Sequence, residues 1–236
     1  MKYLKLTSIL IIYTLICLNA SAKKELVEKK IDVKPFSEIE VSGYFNVNLV
    51  ESNDYRLEIE TKEDIHDNIG IDVKEKILII TLKDDNFKFK NKIYLTIYCK
   101  KFSKFTSNGM INLHTEESFK LGDVAIETNG VTKAHIELEA ENLDVEVNGT
   151  GKIHLFGNSK NAKYTINGAG SINAYNMSVK NCNVEISGAG IAKIYVFDKL
   201  NATLTGVSKV YYKGEPKTKN TNCTFLSKVK KAEADK

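Results

Sequence analysis

The stretch 147–192 carries the same turn three times, as VNGTGKI at 147–153, INGAGSI at 166–172 and ISGAGIA at 186–192. The spacing of these turns extends over six glycines, which are separated by 21, 19, 19, 20 and 18 residues. They are Gly109, Gly130, Gly149, Gly168, Gly188 and Gly206. A period near 20 that joins a turn to alternating apolar and polar residues is typical of repeat proteins whose units stack on one another.

Alignment of the repeats on these glycines predicts which side chains face a core. Residues two and four positions before each glycine, and four and six positions after it, are mostly apolar, whereas the positions between them are mostly polar. This is the period of a strand with one buried face. NG and SG turns suit a corner that requires positive φ. The sequence therefore predicts an all-β chain whose repeats form a parallel β-helix, or β-solenoid, of about seven coils in the C-terminal half.

Three regions are predicted along the chain. Residues 1–22 read as a signal peptide, residues 23–100 as a β-rich N-terminal region, and residues 101–236 as the repeats with a Lys-rich C-terminal cap. Within the N-terminal region, EVSGYFNVNL resembles the later repeats, with Gly43 at its turn. The break Lys74-Glu75-Lys76 between two β-rich runs predicts a hairpin.

The first 22 residues predict export. Lys2 and Lys5 precede an apolar stretch, and Ala20-Ser21-Ala22 matches a signal-peptide cleavage site. The stretch is shorter than a membrane-spanning helix requires, so no integral membrane segment is expected in the mature chain. Cleavage lowers the formal net charge from +4 to +2, which argues against a nucleic-acid partner. The location is expected to be the periplasm, the outer-membrane surface or the extracellular space.

Several segments together resemble one known family. They are FSEIEVSGYFNVNL, NGTGKIHL, NGAGSINAY, SGAGIAKIYV and the closing LTGVSKVYYKGEP. With the export signal, they resemble the auto-transporter adhesin "head GIN domain" proteins of Gram-negative envelopes, over about residues 31–231. This resemblance implies a right-handed parallel β-helix related in shape to pectin lyases, without a recognised catalytic set, and a role in adhesion. It supplies no functional residues.

One outward column of the glycine alignment contains three histidines on consecutive repeats. His114, His135 and His154 each lie five residues after a glycine, and Asn173 and Lys193 follow them in the same column. Coils about 4.8 Å apart bring imidazoles close enough to share a transition metal. A flat sheet face does not close around an ion, and repeat duplication alone also explains an exposed polar ladder. Apart from this metal hypothesis, no cofactor is predicted.

A second outward column, seven residues after the glycine, contains Phe156, Tyr175 and Tyr195. Beside Asn173 and Lys193, these rings predict a platform on which sugar rings stack. Stacked aromatic side chains also stabilise sheets directly, so a structural ladder is the alternative. Expected partners are glycans or other cell-surface components, and self-association into a homo-oligomer is left open.

An acidic group supports the competing class of protein. Glu127 and Glu146 lie three residues before neighbouring glycines, and Asp144 lies on the same face. Paired carboxylates are used in glycoside hydrolysis, which makes a carbohydrate-active enzyme, a lyase or hydrolase, the alternative function. A solvated face explains the same residues. The sequence therefore favours an exported, non-enzymatic, adhesin-like or glycan-binding module.

Overall fold

The structure, a computed structural model, describes residues 26–83 and 92–232. The predicted signal peptide lies outside the described residues. The fold is all-β, as predicted, and consists of a β-solenoid preceded by N-terminal strands. The solenoid has about six turns, one fewer than the sequence predicts.

Fourteen strands and one short helix make up the described chain. The N-terminal elements are β1 (Val27–Asp32), β2 (Glu38–Glu51), β3 (Arg56–Thr61), α1 (Glu63–His66), β4 (Ile69–Lys74), β5 (Ile77–Leu82) and β6 (Tyr94–Cys99). The remaining strands are β7 (Lys104–Thr115), β8 (Phe119–Lys120), β9 (Asp123–Gly168), β10 (Ser171–Gly188), β11 (Ile191–Gly206), β12 (Lys209–Lys213), β13 (Thr218–Cys223) and β14 (Lys228–Lys231). The sheet order β2-β7-β9-β10-β11-β12-β14 follows the chain, with every pair parallel.

The stacking begins at β2, well before the six regular repeats. β2 pairs in parallel with β7, and Gly43 lies opposite Gly109. The segment between these strands folds against the other edge of β2, where β5 pairs with its first half and β6 with its second. Because β5 and β6 occupy that edge, this end of the stack does not offer β2 as an open template for another chain.

The predicted hairpin is present between β4 and β5, which pair antiparallel. Its two loop residues, Glu75 and Lys76, have φ values of 50° and 66°. Positive φ at both central residues is the requirement of the two-residue turn that matches the twist of a hairpin. The hairpin that the local sequence predicts is therefore confirmed.

The core lies inside the coils, along the four inward columns of the alignment. All the residues two positions before the glycines are buried, and so are the other three sets. Cys182, six residues before Gly188, is buried in a further inward column, and burial raises the pKa of its thiol. Burial likewise raises the pKa of Cys99 to about 12. Both thiols are thus kept neutral and unreactive at physiological pH.

Cys223 is an exception to the burial of the inward columns. Its register position is correct, because it lies opposite Leu204 of the preceding coil. However, Cys223 is exposed, as are all residues of β13. Burial in this column requires a coil on both sides, whereas among the described strands β13 pairs only with β11.

Stacked glycines form one corner of the solenoid. Seven glycines with φ between 85° and 133° lie in this column: Gly43, Gly109, Gly130, Gly149, Gly168, Gly188 and Gly206. At Gly149, an added Cβ would lie 2.6 Å from the carbonyl oxygen of Gly130, closer than such atoms approach. The corner therefore excludes a side chain both by its backbone conformation and by its lack of space.

An asparagine ladder runs beside the glycine column. Asn129 Nδ2 donates to Asn108 Oδ1 at 3.0 Å, Asn148 to Asn129 at 3.1 Å, and Asn167 to Asn148 at 2.9 Å. Each amide thus bonds to the identical amide one coil away, as in stacked cross-β assemblies. The asparagine of the NG turns has a second role here beyond favouring the turn.

We expect Gly149→Ala to lower the free energy of unfolding by about 3 kcal/mol, because alanine must adopt a disfavoured φ and contact the Gly130 carbonyl. Chemical denaturation followed by circular dichroism measures this change. Gly122→Ala is the matched control, since a Cβ at Gly122 meets no atom within 4 Å. Equal stabilities of the two variants would contradict the steric role of the corner.

Candidate binding grooves

The three histidines lie on consecutive coils. His114 lies opposite His135, and Asn173 lies opposite both His154 and Lys193. The ring centroids are 5.3 Å apart for His114 and His135, and 6.5 Å apart for His135 and His154. Within residues 26–83 and 92–232, no group of three or more His, Cys, Asp or Glu side chains has a metal-binding arrangement. The metal site thus stays a prediction.

Electrostatics disfavour the protonated form of one of these histidines. Burial, followed by the positive charge of Lys152 and of other neighbours, lowers the pKa of His154 below its ordinary value of 6.5. Its ring stacks on His135, with an interplanar angle of 18°. A neutral imidazole packs here without the desolvation and the repulsion from neighbouring positive charges that a protonated ring would experience.

We expect the free energy of unfolding to fall as the pH drops through the range below 6.5. The pKa of His154 is lower in the folded chain, so the unfolded chain binds more protons in that range. His154→Asn, which copies Asn173 of the next coil, removes this titration and weakens the pH dependence. Urea denaturation between about pH 7 and about pH 5 measures it. If the free energy of unfolding of the wild type and of His154→Asn had the same pH dependence, the titration could not be assigned to His154.

The aromatic column is interrupted, in contrast to its even spacing in the sequence. Register shifts place Phe156 opposite Asn176 and Tyr195 opposite Ser178, so neither ring lies opposite Tyr175. The ring of Phe156 instead packs against His135, with centroids 4.4 Å apart. A bulge inserts residues on one strand and redirects the side chains around it. The three rings therefore do not form one continuous row.

Tyr175 instead lies in a groove near the C-terminal end of the stack. The groove has a volume of about 560 Å³. The ammonium of Lys213 lies 4.7 Å from the centroid of the Tyr175 ring, and that of Lys193 lies 5.8 Å from it. We call this site the cationic tyrosine groove; its lining comprises Tyr175, Lys193, Tyr211, Lys213, Lys230, Lys231 and Ala232.

The acidic residues do not act as one group. Glu127 accepts hydrogen bonds from Asn129 at 3.1 Å and from Lys104 at 3.0 Å. These two partners lower the pKa of Glu127, which keeps its carboxylate ionised. Burial raises the pKa of Asp144, despite the opposing charge of Lys163. Asp144 lines a separate groove, whose lining includes neither Glu127 nor Glu146.

A larger groove, of about 800 Å³, follows the stacking direction and was not predicted. Two rows of residues flank strand segments centred on the buried Leu143, Ala162 and Cys182. We call it the amide groove. Its first row is Asp123, Asn142, Asn161, Asn181 and Lys199, and its second row is Ala125, Asp144, Lys163, Asn183 and Asn201. The recurrence of asparagine seven residues before Gly149, Gly168 and Gly188 was the available signal, but asparagine is also common at ordinary turns.

Fold and grooves together define a β-solenoid repeat protein that offers polar surfaces along its length. The chain belongs to the family described as "Putative auto-transporter adhesin, head GIN domain", whose model matches residues 35–216. It is thus an adhesin-like surface protein. Among proteins with curated descriptions, none matches the chain significantly.

Solved structures share this fold. A putative adhesin from Bacteroides fragilis NCTC 9343 is 24% identical, with a TM-score of 0.83 over 89% of this chain and 98% of that one. A putative adhesin from Parabacteroides merdae ATCC 43184 is also 24% identical, with a TM-score of 0.69 over the same shares. A structure described as a putative lipid binding protein, from Parabacteroides distasonis ATCC 8503, is 16% identical, with a TM-score of 0.64 over the same shares. In the described ranges, no helix is long and apolar enough to cross a membrane.

Proposed function

We propose that this exported, adhesin-like protein binds acidic glycans in the cationic tyrosine groove. One observation carries the proposal: two lysine ammoniums flank a single tyrosine ring, Lys213 at 4.7 Å and Lys193 at 5.8 Å from its centroid. An aromatic face packs on the C–H face of a sugar, and adjacent ammoniums bind its carboxylate, sulfate or phosphate. Tyr175 and Lys193, which the sequence predicts as glycan contacts, are therefore part of the proposed ligand site.

The charge of the groove supports an anionic ligand. Four lysines line it, and the described lining includes no carboxylate. Lys231 donates to Glu215 at its margin, while Tyr211 supplies a second ring. Lysine binds an anion as a point charge, so sugars bearing differently shaped acidic groups fit the same site.

The other predicted glycan contacts have different positions relative to this groove. Tyr195 lies opposite Lys213 in the register and extends the surface on that side. Asn173 accepts a hydrogen bond from the backbone N–H of Tyr175 at 3.4 Å, which orients the turn that carries the ring. Phe156 packs on His135 and does not line the groove. We therefore assign the ligand contacts to Tyr175 and the lysines, with Tyr195 at the margin.

One observation favours the carbohydrate-active enzyme as a second candidate. Burial raises the pKa of Asp144 in the amide groove, which is a property of a general acid. Hydrolysis also needs a second carboxylate at a suitable separation, and Asp123 of the same groove is the candidate. Release of reducing ends from a polysaccharide, abolished in Asp144→Asn, would establish this function in place of simple binding.

We expect the double variant Tyr175→Ala, Lys213→Gln to weaken binding of acidic glycans at least about tenfold, which corresponds to about 1.4 kcal/mol. Binding of the mature protein to a glycan array, followed by titration of the retained glycans, measures this effect. Added salt is expected to weaken binding further, because the contacts are exposed ion pairs.

Lys120→Gln provides the matched control. It removes the same charge from an exposed lysine of β8, outside the groove. Equal losses in this control and in the double variant would indicate a nonspecific charge effect. Retention of acidic glycans by the double variant at wild-type affinity would refute the proposed site.

A further inference from the structure

We infer that the amide groove is a second binding site, which holds an extended, neutral polysaccharide chain with its axis along the stack of coils. The inference goes beyond the proposed function, because it concerns a different groove and a ligand without charge. It is based on the repeated amides of the first row, the charge balance of the lining and the length of the groove.

The amides of the first row hold one another in place. Asn142 Nδ2 donates to Asp123 at 2.5 Å, Asn161 to Asn142 at 2.8 Å, and Asn181 to Asn161 at 2.9 Å. The side chains thus have a fixed orientation before any ligand arrives. Binding to a preorganised row loses less conformational entropy than binding to free side chains.

The ladder leaves at least half of the hydrogen-bonding capacity of each side-chain amide available for a ligand. Asn161 uses one N–H to donate to Asn142 and accepts one hydrogen bond from Asn181. A primary amide has two N–H donors and two acceptor lone pairs, so one of each remains. A sugar hydroxyl is both donor and acceptor, and it complements this remaining pair at each of the three coils that carry an asparagine. A chain of hydroxylated units therefore matches the repeat better than a ligand with acceptors only.

The amide groove differs from the cationic tyrosine groove in its net charge. Its charged lining residues are two aspartates and two lysines, so their formal charges cancel. Asp144 and Lys163 also lie in the same row on successive coils. A neutral ligand pairs with a lining of zero net charge, whereas an anion or a cation meets one like charge for each opposite charge.

The length of the groove sets the size of the ligand. The first row spans five successive coils from Asp123 to Lys199, which is four steps of about 4.8 Å, or about 19 Å. One pyranose unit of an extended chain is of similar length to one step. The strand segments around Leu143 and Ala162 form a floor against which the C–H faces of the sugars pack.

The test uses the full mature chain and isothermal titration with neutral hexasaccharides built of glucose, mannose or xylose units. We expect at least one of them to bind the wild type. Asn161→Ala, which interrupts the ladder, is expected to weaken this binding at least tenfold. Ala125→Tyr, which fills the groove without removing a ladder hydrogen bond, is expected to have the same effect, and it decides the outcome if Asn161→Ala fails to fold.

Two controls distinguish the groove from general effects. Asn148→Ala removes the same kind of amide from the ladder beside the glycine corner, outside the groove, and is expected to bind as the wild type does. The variant Tyr175→Ala, Lys213→Gln is also expected to keep neutral binding. Absence of binding by every hexasaccharide, or unchanged affinity in Ala125→Tyr, overturns the inference. Retention of acidic glycans in that case leaves the proposed function intact.

Discussion

The contact between each corner glycine and the carbonyl oxygen of the glycine one coil before it governs the rest of this structure. No side chain fits between them at Gly149, where the oxygen of Gly130 lies 2.6 Å from an ideal Cβ position. Because the corners must coincide, insertions and deletions between them are absorbed elsewhere in each coil. The repeats accordingly vary from 18 to 21 residues while their glycines remain in register.

This constraint explains which features could be predicted from the sequence. Inward residues such as Val145 and Tyr164 follow from their distance to the glycine, since a strand close to a fixed corner has little freedom to shift. The hairpin at Glu75 and Lys76 follows from local sequence. The predicted alignment of side chains between coils fails farther from the corner. Tyr175, seven residues after its glycine, is displaced by a bulge. The prediction also fails at the end of the described stack, where Cys223 is exposed because no later coil among the described residues covers it.

The two grooves could not be predicted for a further physical reason. The shape of a groove depends on how far neighbouring side chains project from the surface and on the curvature between strands. An alignment of the repeats contains neither quantity. Asn161 and Asn181 have a periodicity as regular as that of the glycines, but asparagine is common at turns and its outward position is unremarkable. Only the hydrogen bonds between them distinguish a preorganised row from ordinary surface residues.

The long insertion between β2 and β7 has a consequence for how the chain reaches this structure. Neighbouring coils bring together residues about 20 positions apart, whereas β2 and β7 join residues 66 positions apart, such as Asn46 and Asn112. Closing a longer loop costs more chain entropy before any contact compensates for it. Local stacking thus favours the central repeats as the folding nucleus, with β2 and its covering strands docking afterwards.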